Sequence, residues 1–407
     1  MDCRHCGTPL SLPFVDLGSA PPSNSYLTAA SLDKPEPWYP LRVLVCTECW
    51  LVQTDDYTGA ADIFKEDYAY FSSYSKSWLD HAARYVSDVA ERFQLDSNSF
   101  VVELASNDGY LLQYIAARAI PCVGVEPTAS TAAKSRQIGI EVIERFFGTA
   151  LAREMIEKSM HADLIVANNV LAHVPDINDF VSGVALLLKA DGVATFEFPH
   201  LLNLVTHNQF DTIYHEHFSY LSFGTVTRIF RKHGLSVFDV TELPTHGGSL
   251  RVYAQRISGP RSQTPAVRSL LEREEECGIF TEAFYADFQR RVDGAKNDFL
   301  RFLLDAKEHN VKVAAYGAAA KGTTLINYAG LRPDLLPYVV DKSPAKQGKF
   351  LPGCRIPILS LDRIIQERPQ YVVILPWNIR QEIEADLHFV KDWGGRFVTA
   401  IPKLDVM

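Results

Sequence analysis

Two pairs of cysteines near the start of the chain have the spacing of metal ligands. Cys3 and Cys6 form one C-x-x-C pair, and Cys46 and Cys49 form a second. Four thiolates arranged in this way suit the tetrahedral coordination of Zn²⁺, and His5 is a poorer substitute ligand. A redox role is the alternative for such pairs, but neither pair follows a strand that leads into a helix. The spacing therefore predicts a closed, structural zinc site.

A second group of residues that could do chemistry is the run Tyr214-His215-Glu216-His217. Tyr214 and His217 are three positions apart, so on a helical turn they would share one face. The run is not the H-E-x-x-H pattern of metalloproteases, because Ser219 stands where the second histidine ligand is required. A metal site and a polar loop packed by aromatic side chains remain as alternatives.

A third group lies in the segment ELASNDG, Glu103–Gly109, which follows a short apolar run. The next strand ends at Glu126, whose carboxylate could accept both ribose hydroxyls of an adenosine. A dinucleotide site would carry G-x-G-x-x-G, whereas this turn has one glycine and two carboxylates. Carboxylates attract a sulfonium or an ammonium group and repel a pyrophosphate. The turn therefore favours S-adenosylmethionine over NAD, with an ordinary βαβ unit that binds no ligand as the alternative.

The elements that would position these residues alternate between strands and helices. A helical pattern begins near residue 76, and buried strands are predicted at 100–104, 121–126, 163–171 and 192–199. Such alternation is typical of a parallel, doubly wound sheet. The cofactor-binding residues expected at its edge are Glu103, Ala105, Ser106, Asn107, Asp108, Gly109, Glu126, Pro127, Asn168 and Asn169.

The last third of the chain reads as helix over residues 265–309 and then as a second Rossmann-like unit over about 310–407. Its turn, Gly317–Gly322, is made of small residues and opens a helix. A helix N-terminus beside Lys321 is a ready anion site. The turn is not a Walker A loop, because the required G-K-[ST] spacing is absent. The glycine turn His246–Arg251 could line a ligand pocket or simply connect a hairpin.

Composition narrows the class of protein. The 407 residues suggest two or three domains, and 47% hydrophobic with 22% charged residues is ordinary for a globular chain. A net charge of −9 argues against a nucleic-acid partner. No apolar run reaches the roughly 18 residues of a membrane span, and the N-terminus lacks a signal-peptide pattern. We expect a cytoplasmic protein with no membrane partner, and a monomer because no interface stripe is visible.

Several of these motifs resemble those of one enzyme family. The segments ELASNDGYLL, GVEP, ANNVLAHVPD and FEFPHL resemble the motifs of class I S-adenosylmethionine-dependent methyltransferases. With the cysteine pairs ahead and KVAAYGAAAKGTTLINYAGL behind, they resemble the sugar C-methyltransferases. These enzymes add a methyl branch to nucleotide-linked keto-deoxysugars, and the C-3′-methyltransferases of antibiotic sugar pathways belong to them. The resemblance covers nearly the whole chain.

The resemblance also implies roles for individual side chains. In that family a Tyr-x-Glu-His run carries catalysis, with a histidine after the fourth strand and a tyrosine ahead of the methyltransferase domain. The matching residues here are Tyr214, Glu216, His217, His173 and, ambiguously, Tyr68 or Tyr70. Methylation beside a ketone needs a base and a donor to the enolate oxygen, roles that suit His217 and Tyr214. The last domain is implied to bind the nucleotide-sugar through Lys321, with Tyr316, Asn327 and Asp341 as weaker candidates. His246, in the glycine turn of the preceding domain, is a further candidate for the sugar pocket.

We therefore predict an α/β enzyme: a class I methyltransferase with a Rossmann-like parallel sheet at 61–260, a small zinc-binding domain at 1–60 and a C-terminal Rossmann-like domain, with its helical linker, at 261–407. It would use S-adenosylmethionine and structural Zn²⁺ to methylate a TDP-linked 4-keto-deoxysugar, with C-3′ favoured over C-5′. The rival classes are an NAD-dependent nucleotide-sugar oxidoreductase and a non-enzymatic zinc-containing binding protein.

Overall fold

The computed structural model describes residues 1–55, 57 and 71–407. Within them the chain builds three β-sheets. Among these residues no helix is both long and apolar enough to cross a membrane.

The N-terminal sheet has the strand order β1-β2-β3-β9 and is antiparallel throughout. Its strands are β1 (Leu12–Ala20), β2 (Tyr39–Val45), β3 (Val52–Thr54) and β9 (Ser219–Tyr220). The segment between the cysteine pairs is rich in Pro and Ser, yet β1 and β2 bury Phe14, Leu17 and Val43. Phe14 stacks on Phe288 of the C-terminal third at 4.3 Å between ring centroids, so apolar packing as well as metal binding holds this unit.

The central sheet has the order β10-β11-β8-β7-β4-β5-β6. Its strands are β4 (Val101–Leu104), β5 (Cys122–Val125), β6 (Val142–Ile143), β7 (Ala162–Asn168), β8 (Leu188–Pro199), β10 (Leu235–Leu243) and β11 (Ser249–Arg256). The predicted parallel arrangement is confirmed from β8 to β6. It does not extend to β10 and β11, which are antiparallel. The connection between them is too short for the crossover that a parallel pair needs.

Helices cover both faces of this sheet. They are α1 (Lys76–Arg92), α2 (Leu112–Ala116), α3 (Ala129–Gln137), α4 (Thr149–Glu157), α5 (Ile177–Leu187), α6 (Leu201–Thr206) and α7 (Phe223–Lys232). The predicted apolar face of α1 is buried at Ala82, Tyr85, Val86 and Val89. Helices on both faces explain why β4 and β7 are almost wholly apolar.

The linker forms α8 (Pro265–Glu276), α9 (Glu282–Tyr285) and α10 (Phe288–Glu308) rather than one continuous helix. Gly278, with φ +77°, lies in the break between α8 and α9. Glu274 of α8 is buried and accepts hydrogen bonds from the amides of Phe223 and Gly224 at the start of α7, at 2.7 and 2.8 Å. The linker is thereby fixed to the central unit.

The C-terminal sheet has the order β14-β13-β12-β15-β16-β17. Its elements are β12 (Val313–Tyr316), α11 (Ala320–Tyr328), β13 (Val339–Val340), β14 (Ile358–Leu359), α12 (Asp362–Glu367), β15 (Tyr371–Ile374), α13 (Arg380–Asp386), β16 (Arg396–Thr399) and β17 (Asp405–Val406). All pairs are parallel except β16 with β17. This is the second Rossmann-like unit that the strand–turn–helix pattern predicted.

Candidate functional site

The four predicted zinc ligands meet in one cluster. Their sulfur atoms all lie within 4.8 Å of one another, with Cys3 and Cys49 3.5 Å apart and Cys6 and Cys46 3.4 Å apart. Tetrahedral Zn²⁺ with Zn–S distances near 2.3 Å needs sulfurs about 3.8 Å apart, so the cluster fits the ion. His5 is directed elsewhere, with its ring nitrogen 2.7 Å from the side-chain oxygen of Asn178. The four thiols therefore form a closed set of ligands.

The turn after β4 has the sharp backbone of a ligand-binding loop. Ala105, Asn107 and Gly109 all have positive φ, at +55°, +50° and +80°. A Cβ on Gly109 would lie 2.8 Å from the Ser135 hydroxyl of α3, so this position needs glycine for its conformation and for close packing. The turn is thus held against α3 at the carboxyl end of the sheet, where open α/β sheets bind ligands.

Glu126, at the end of β5, ties this turn to the next one. One carboxylate oxygen accepts the Asn107 amide and the other accepts the Thr128 amide, each at 2.9 Å. The carboxylate is therefore fixed in direction. It keeps further acceptor capacity for hydroxyl donors, because each carboxylate oxygen has two lone pairs.

Several buried polar atoms around this turn have no hydrogen-bond partner among the described residues. They are one carboxylate oxygen of Asp108, the Ser106 hydroxyl and the side-chain oxygens of Asn168 and Asn169. The Glu103 carboxylate beside them accepts from the Tyr110 side chain. Three of the four unpartnered atoms are acceptors only, so a ligand that donates hydrogen bonds or carries positive charge suits them. S-adenosylmethionine does both, through its ammonium and sulfonium groups, and a pyrophosphate does neither. The residues present therefore fit S-adenosylmethionine.

Burial raises the pKa of Glu103 well above its usual range, and the carboxylates of Asp108 and Glu126 raise it further. A bound cation would reverse this effect by favouring the ionised carboxylate. Pro127, also predicted for the cofactor, follows Glu126 in the turn after β5. The electrostatics of the turn thus agree with its unfilled acceptors.

His217, the predicted base, is held in one tautomer by a backbone carbonyl. It is 8% exposed, and its Nδ1 lies 2.8 Å from the Thr212 carbonyl oxygen. A carbonyl only accepts, so Nδ1 carries the proton and Nε2 keeps its lone pair. Burial lowers the pKa of His217 well below its usual range, and His173, His246 and Lys321 lower it further. The imidazole is therefore neutral near pH 7 and able to accept a proton.

Tyr214 and His173 both contact His217. The Tyr214 ring is tilted against the imidazole with 4.0 Å between centroids, and the His173 ring meets it edge-on at 4.6 Å. Burial lowers the pKa of His173 to about 4. The structure therefore brings together three side chains that the sequence placed in two separate motifs.

The two remaining residues of the run have different surroundings. Glu216 is 2% exposed, and one of its oxygens accepts a hydrogen bond from the Asn24 side chain at 2.7 Å. His215 is directed to the N-terminal sheet, where its Nε2 lies 3.3 and 3.2 Å from the carbonyls of Tyr39 and Pro40. His215 thus contacts β2 of the N-terminal sheet, whereas Glu216, next to His217 in the chain, bonds to Asn24.

Lys321, predicted for phosphate, lies close to the predicted catalytic run Tyr214–His217. It is half-buried, and its ammonium donates to the Asn378 side-chain oxygen at 2.6 Å and stands 4.7 Å from the Trp377 ring centroid. Burial lowers the pKa of Lys321, while Asp211 opposes that change. His246 joins this group from the β10–β11 turn, with φ +53° and a pKa lowered to about 4 by burial and then by Lys321.

The other predicted substrate residues have mainly local contacts. The Asp341 carboxylate accepts the amides of Ala318 and Ser343, each at 2.8 Å. The Asn327 side chain donates to the carbonyls of Thr323 and Pro352. Tyr316 is buried at the end of β12. Tyr68 and Tyr70 lie outside the described residues.

Sequence reasoning missed two polar groups at this site. Asp211 is 1% exposed and accepts the Trp377 indole N–H at 2.7 Å, and burial raises its pKa to about 6. Glu197, at the end of β8, accepts from His81, Arg251 and Thr245 at 2.8–2.9 Å. Burial would raise the pKa of Glu197, but His81 and Arg251 outweigh it and hold the value at about 2. The acid in FEFP was the only sequence signal for the second group.

The Rossmann-like sheet and the acceptor-lined turn at its carboxyl edge are those of an S-adenosylmethionine-dependent methyltransferase. Family models agree along the chain. Residues 3–64 match a "Putative zinc binding domain", residues 78–240 a methyltransferase domain and residues 244–402 a C-methyltransferase C-terminal domain.

The chain is also similar to individual known proteins. The chain is 34% identical over 403 residues to the C-methyltransferase NovU of Streptomyces niveus, covering 99% of this chain and 96% of that one. The solved PH0226 protein of Pyrococcus horikoshii OT3 is 15% identical with a TM-score of 0.39, over 47% of this chain and 99% of its own. Magnesium protoporphyrin IX methyltransferase of Synechocystis PCC 6803, solved with bound SAM, is 14% identical with a TM-score of 0.33, over 44% and 78%.

The chain belongs to the C-methyltransferase family that includes NovU. It is an S-adenosylmethionine-dependent C-methyltransferase with an N-terminal zinc-binding domain.

Proposed function

We propose that this enzyme methylates a ring carbon next to the ketone of a TDP-linked 4-keto-deoxysugar, at C-3′. A carbon accepts a methyl cation equivalent only if it is nucleophilic, and a neighbouring ketone makes it so once a proton is removed. The substrate class therefore requires a neutral base close to the reacting carbon.

The observation that carries the proposal is the state of His217. Its Nδ1 proton is committed to the Thr212 carbonyl, and burial keeps the ring neutral. The lone pair that remains is on Nε2. A base held in one tautomer, in a site that excludes water, is what enolate formation needs.

The reaction then proceeds in two steps at this chain's residues. His217 Nε2 takes the proton from C-3′ as the C–H electrons move into the enolate, whose oxygen is at C-4′. Tyr214 stabilises that oxygen by hydrogen bonding. When bound, S-adenosylmethionine supplies the electrophilic methyl group. The new C–C bond forms as the S–CH₃ bond breaks, and the proton remains on His217 until it is released to solvent.

Lys321 and the start of α11 are the proposed phosphate contacts. The ammonium bonds to the Asn378 side-chain oxygen and faces the Trp377 ring, and Lys321 lies in the first turn of α11, whose N-terminus favours an anion. His246 and Lys321 both act electrostatically on His217. The diphosphate would thus lie within reach of the turn that carries the base.

The test is proton exchange followed by methylation. The enzyme is incubated in D₂O with S-adenosylhomocysteine and TDP-4-keto-deoxysugars, and deuterium incorporation is followed by NMR. We expect exchange at C-3′ that His217→Gln abolishes, and methylation at the same carbon when S-adenosylmethionine replaces the product analogue. Exchange and methylation at C-5′, or tight binding of NAD with none of S-adenosylhomocysteine by calorimetry, would overturn the proposal.

A further inference from the structure

A loop of the zinc-binding unit, Pro21–Leu27, contacts the C-terminal unit and also Glu216 of the predicted catalytic run. Leu27 and Phe350 exchange two backbone hydrogen bonds, at 2.9 and 2.8 Å. The Tyr26 hydroxyl donates to the Ala318 carbonyl at 2.6 Å, in the turn before α11. The loop is therefore anchored at its end by the C-terminal unit and at its start by β1.

Between these anchors Asn24 faces Glu216. Its side-chain nitrogen is 2.7 Å from one carboxylate oxygen of Glu216, and its side-chain oxygen is 3.2 Å from the Tyr26 hydroxyl. A carboxylate only accepts, so the Asn24 nitrogen donates to Glu216, and this bond fixes which way the amide points. The Tyr26 proton is committed to the Ala318 carbonyl.

We propose that Asn24 is a positioning residue for the methyl-transfer reaction: it holds the Glu216 carboxylate in place, so that the zinc-binding unit completes the active site. This inference rests on the proposed function, in which Glu216 supports the base. An amide N–H donated to a buried carboxylate restricts its orientation and stabilises its charge. Glu216 directly precedes His217, and its backbone bonds to His173, so a shift of Glu216 would move both imidazoles.

Two substitutions at Asn24 distinguish a role in packing from a role through hydrogen bonding. Asn24→Asp keeps the size of the side chain but sets a second carboxylate against Glu216. Asn24→Ala removes the contact without adding charge. A positioning donor predicts that the aspartate variant is the slower of the two, whereas packing alone predicts the opposite order.

The experiment measures kcat and KM of the full-length enzyme for S-adenosylmethionine and the nucleotide-sugar. We expect kcat to fall about 10- to 100-fold in Asn24→Ala and further in Asn24→Asp, with KM within about threefold. Ser25→Ala, an exposed neighbour in the same loop, is the matched control and should match the unmodified enzyme. Zinc content and S-adenosylhomocysteine affinity should be unchanged in every variant.

A double-mutant cycle with Glu216→Gln tests whether Asn24 acts through that carboxylate. If it does, Asn24→Ala in the Glu216→Gln background causes little further loss of kcat. Additive losses, or unchanged kcat in both Asn24 variants, would overturn the inference while leaving the proposed function intact. Unchanged kcat in Glu216→Gln itself would instead remove the role that the proposed function gives to Glu216.

Discussion

At the scale of single residues, the role proposed for His217 depends on the hydrogen bond that its Nδ1 makes. The Thr212 carbonyl holds the Nδ1 proton of His217 at 2.8 Å, and Thr212 itself donates its hydroxyl to the Gln209 carbonyl at 2.7 Å. The run from Gln209 to His217 therefore carries its own support for the tautomer. The buried environment then keeps the imidazole neutral.

The pH dependence of activity follows from this environment. The pKa of His217 in the folded enzyme is lowered, so the working neutral form persists below the usual histidine value of about 6.5. We expect kcat/KM to stay level as the pH falls from 8 to 6.5 and to decline only below that. An acid limb centred at or above pH 6.5, in enzyme shown by preincubation to remain folded, would contradict the assignment.

Trp377 provides a second test at this scale. Trp377→Phe keeps an aromatic ring near Lys321 but removes the N–H that Asp211 accepts. We expect the free energy of unfolding to fall by about 1.5–3 kcal/mol, as for a lost bond to a charged group, and KM for the nucleotide-sugar to rise several-fold. Trp393→Phe, which loses an indole bond to the Pro369 carbonyl away from the site, should lower stability alone. Equal effects on KM would contradict the prediction.

At the scale of elements, the N-terminal sheet holds the backbone at the end of the predicted catalytic run, Tyr214–His217. β9 follows His217 almost at once and pairs with β3. The Thr54 hydroxyl of β3 donates to the His217 carbonyl at 3.1 Å, and its amide donates to the Phe218 carbonyl at 3.2 Å. On the other side, Thr324 of α11 donates to the Ile213 carbonyl at 2.9 Å. Two units of the chain therefore hold the backbone of one turn.

The β10–β11 turn is held equally closely. Gly247 has φ +88°, and a Cβ there would lie 2.4 Å from the Trp377 ring and 2.7 Å from the Gln209 amide. Gly394 has φ +77° with open space around it. We expect Gly394→Ala to cost about 1–2 kcal/mol of stability for its backbone alone, and Gly247→Ala to cost more and also to lower kcat. Matching losses in thermal unfolding and rate would show that the packing at Gly247 is unimportant.

At the scale of the whole molecule, the zinc-binding unit is joined to both others. Its sheet is completed by β9, its β1 packs on α10, and its loop reaches the turn before α11. The two Rossmann-like units also share one hydrogen-bonding arrangement, a carboxylate that accepts two backbone amides. Glu126 and Asp341 each accept an amide of the first turn and the amide two residues beyond themselves.

Loss of the zinc site should therefore separate catalysis from cofactor binding. Cys46→Ser removes one ligand of the cluster and should abolish zinc retention, lower the thermal midpoint and reduce kcat, because β3 no longer supports His217. S-adenosylhomocysteine should still bind, since its site lies in the central sheet. Cys277→Ser, at an exposed cysteine outside the cluster, is the control and should retain zinc and activity. Full activity without zinc would contradict this account.

Local patterns were sufficient for the features that depend on neighbours in sequence. The two C-x-x-C pairs predicted a cluster, and the apolar runs before Glu103 and Glu126 predicted adjacent parallel strands. The turn at Glu103–Gly109 could be located as well, because residue type and short spacing carry that information, and His217 stays a prediction as the base.

Other features depended on contacts between residues far apart in the chain. Asn24 with Glu216, Thr54 with His217 and Asp211 with Trp377 each join residues more than 100 positions apart. No periodicity or motif encodes such a pair, because the distance between its members is set only when the sheets pack together. Folding therefore decided which polar side chains lie against His217. The sequence alone decided which side chains are chemically able to act as a base.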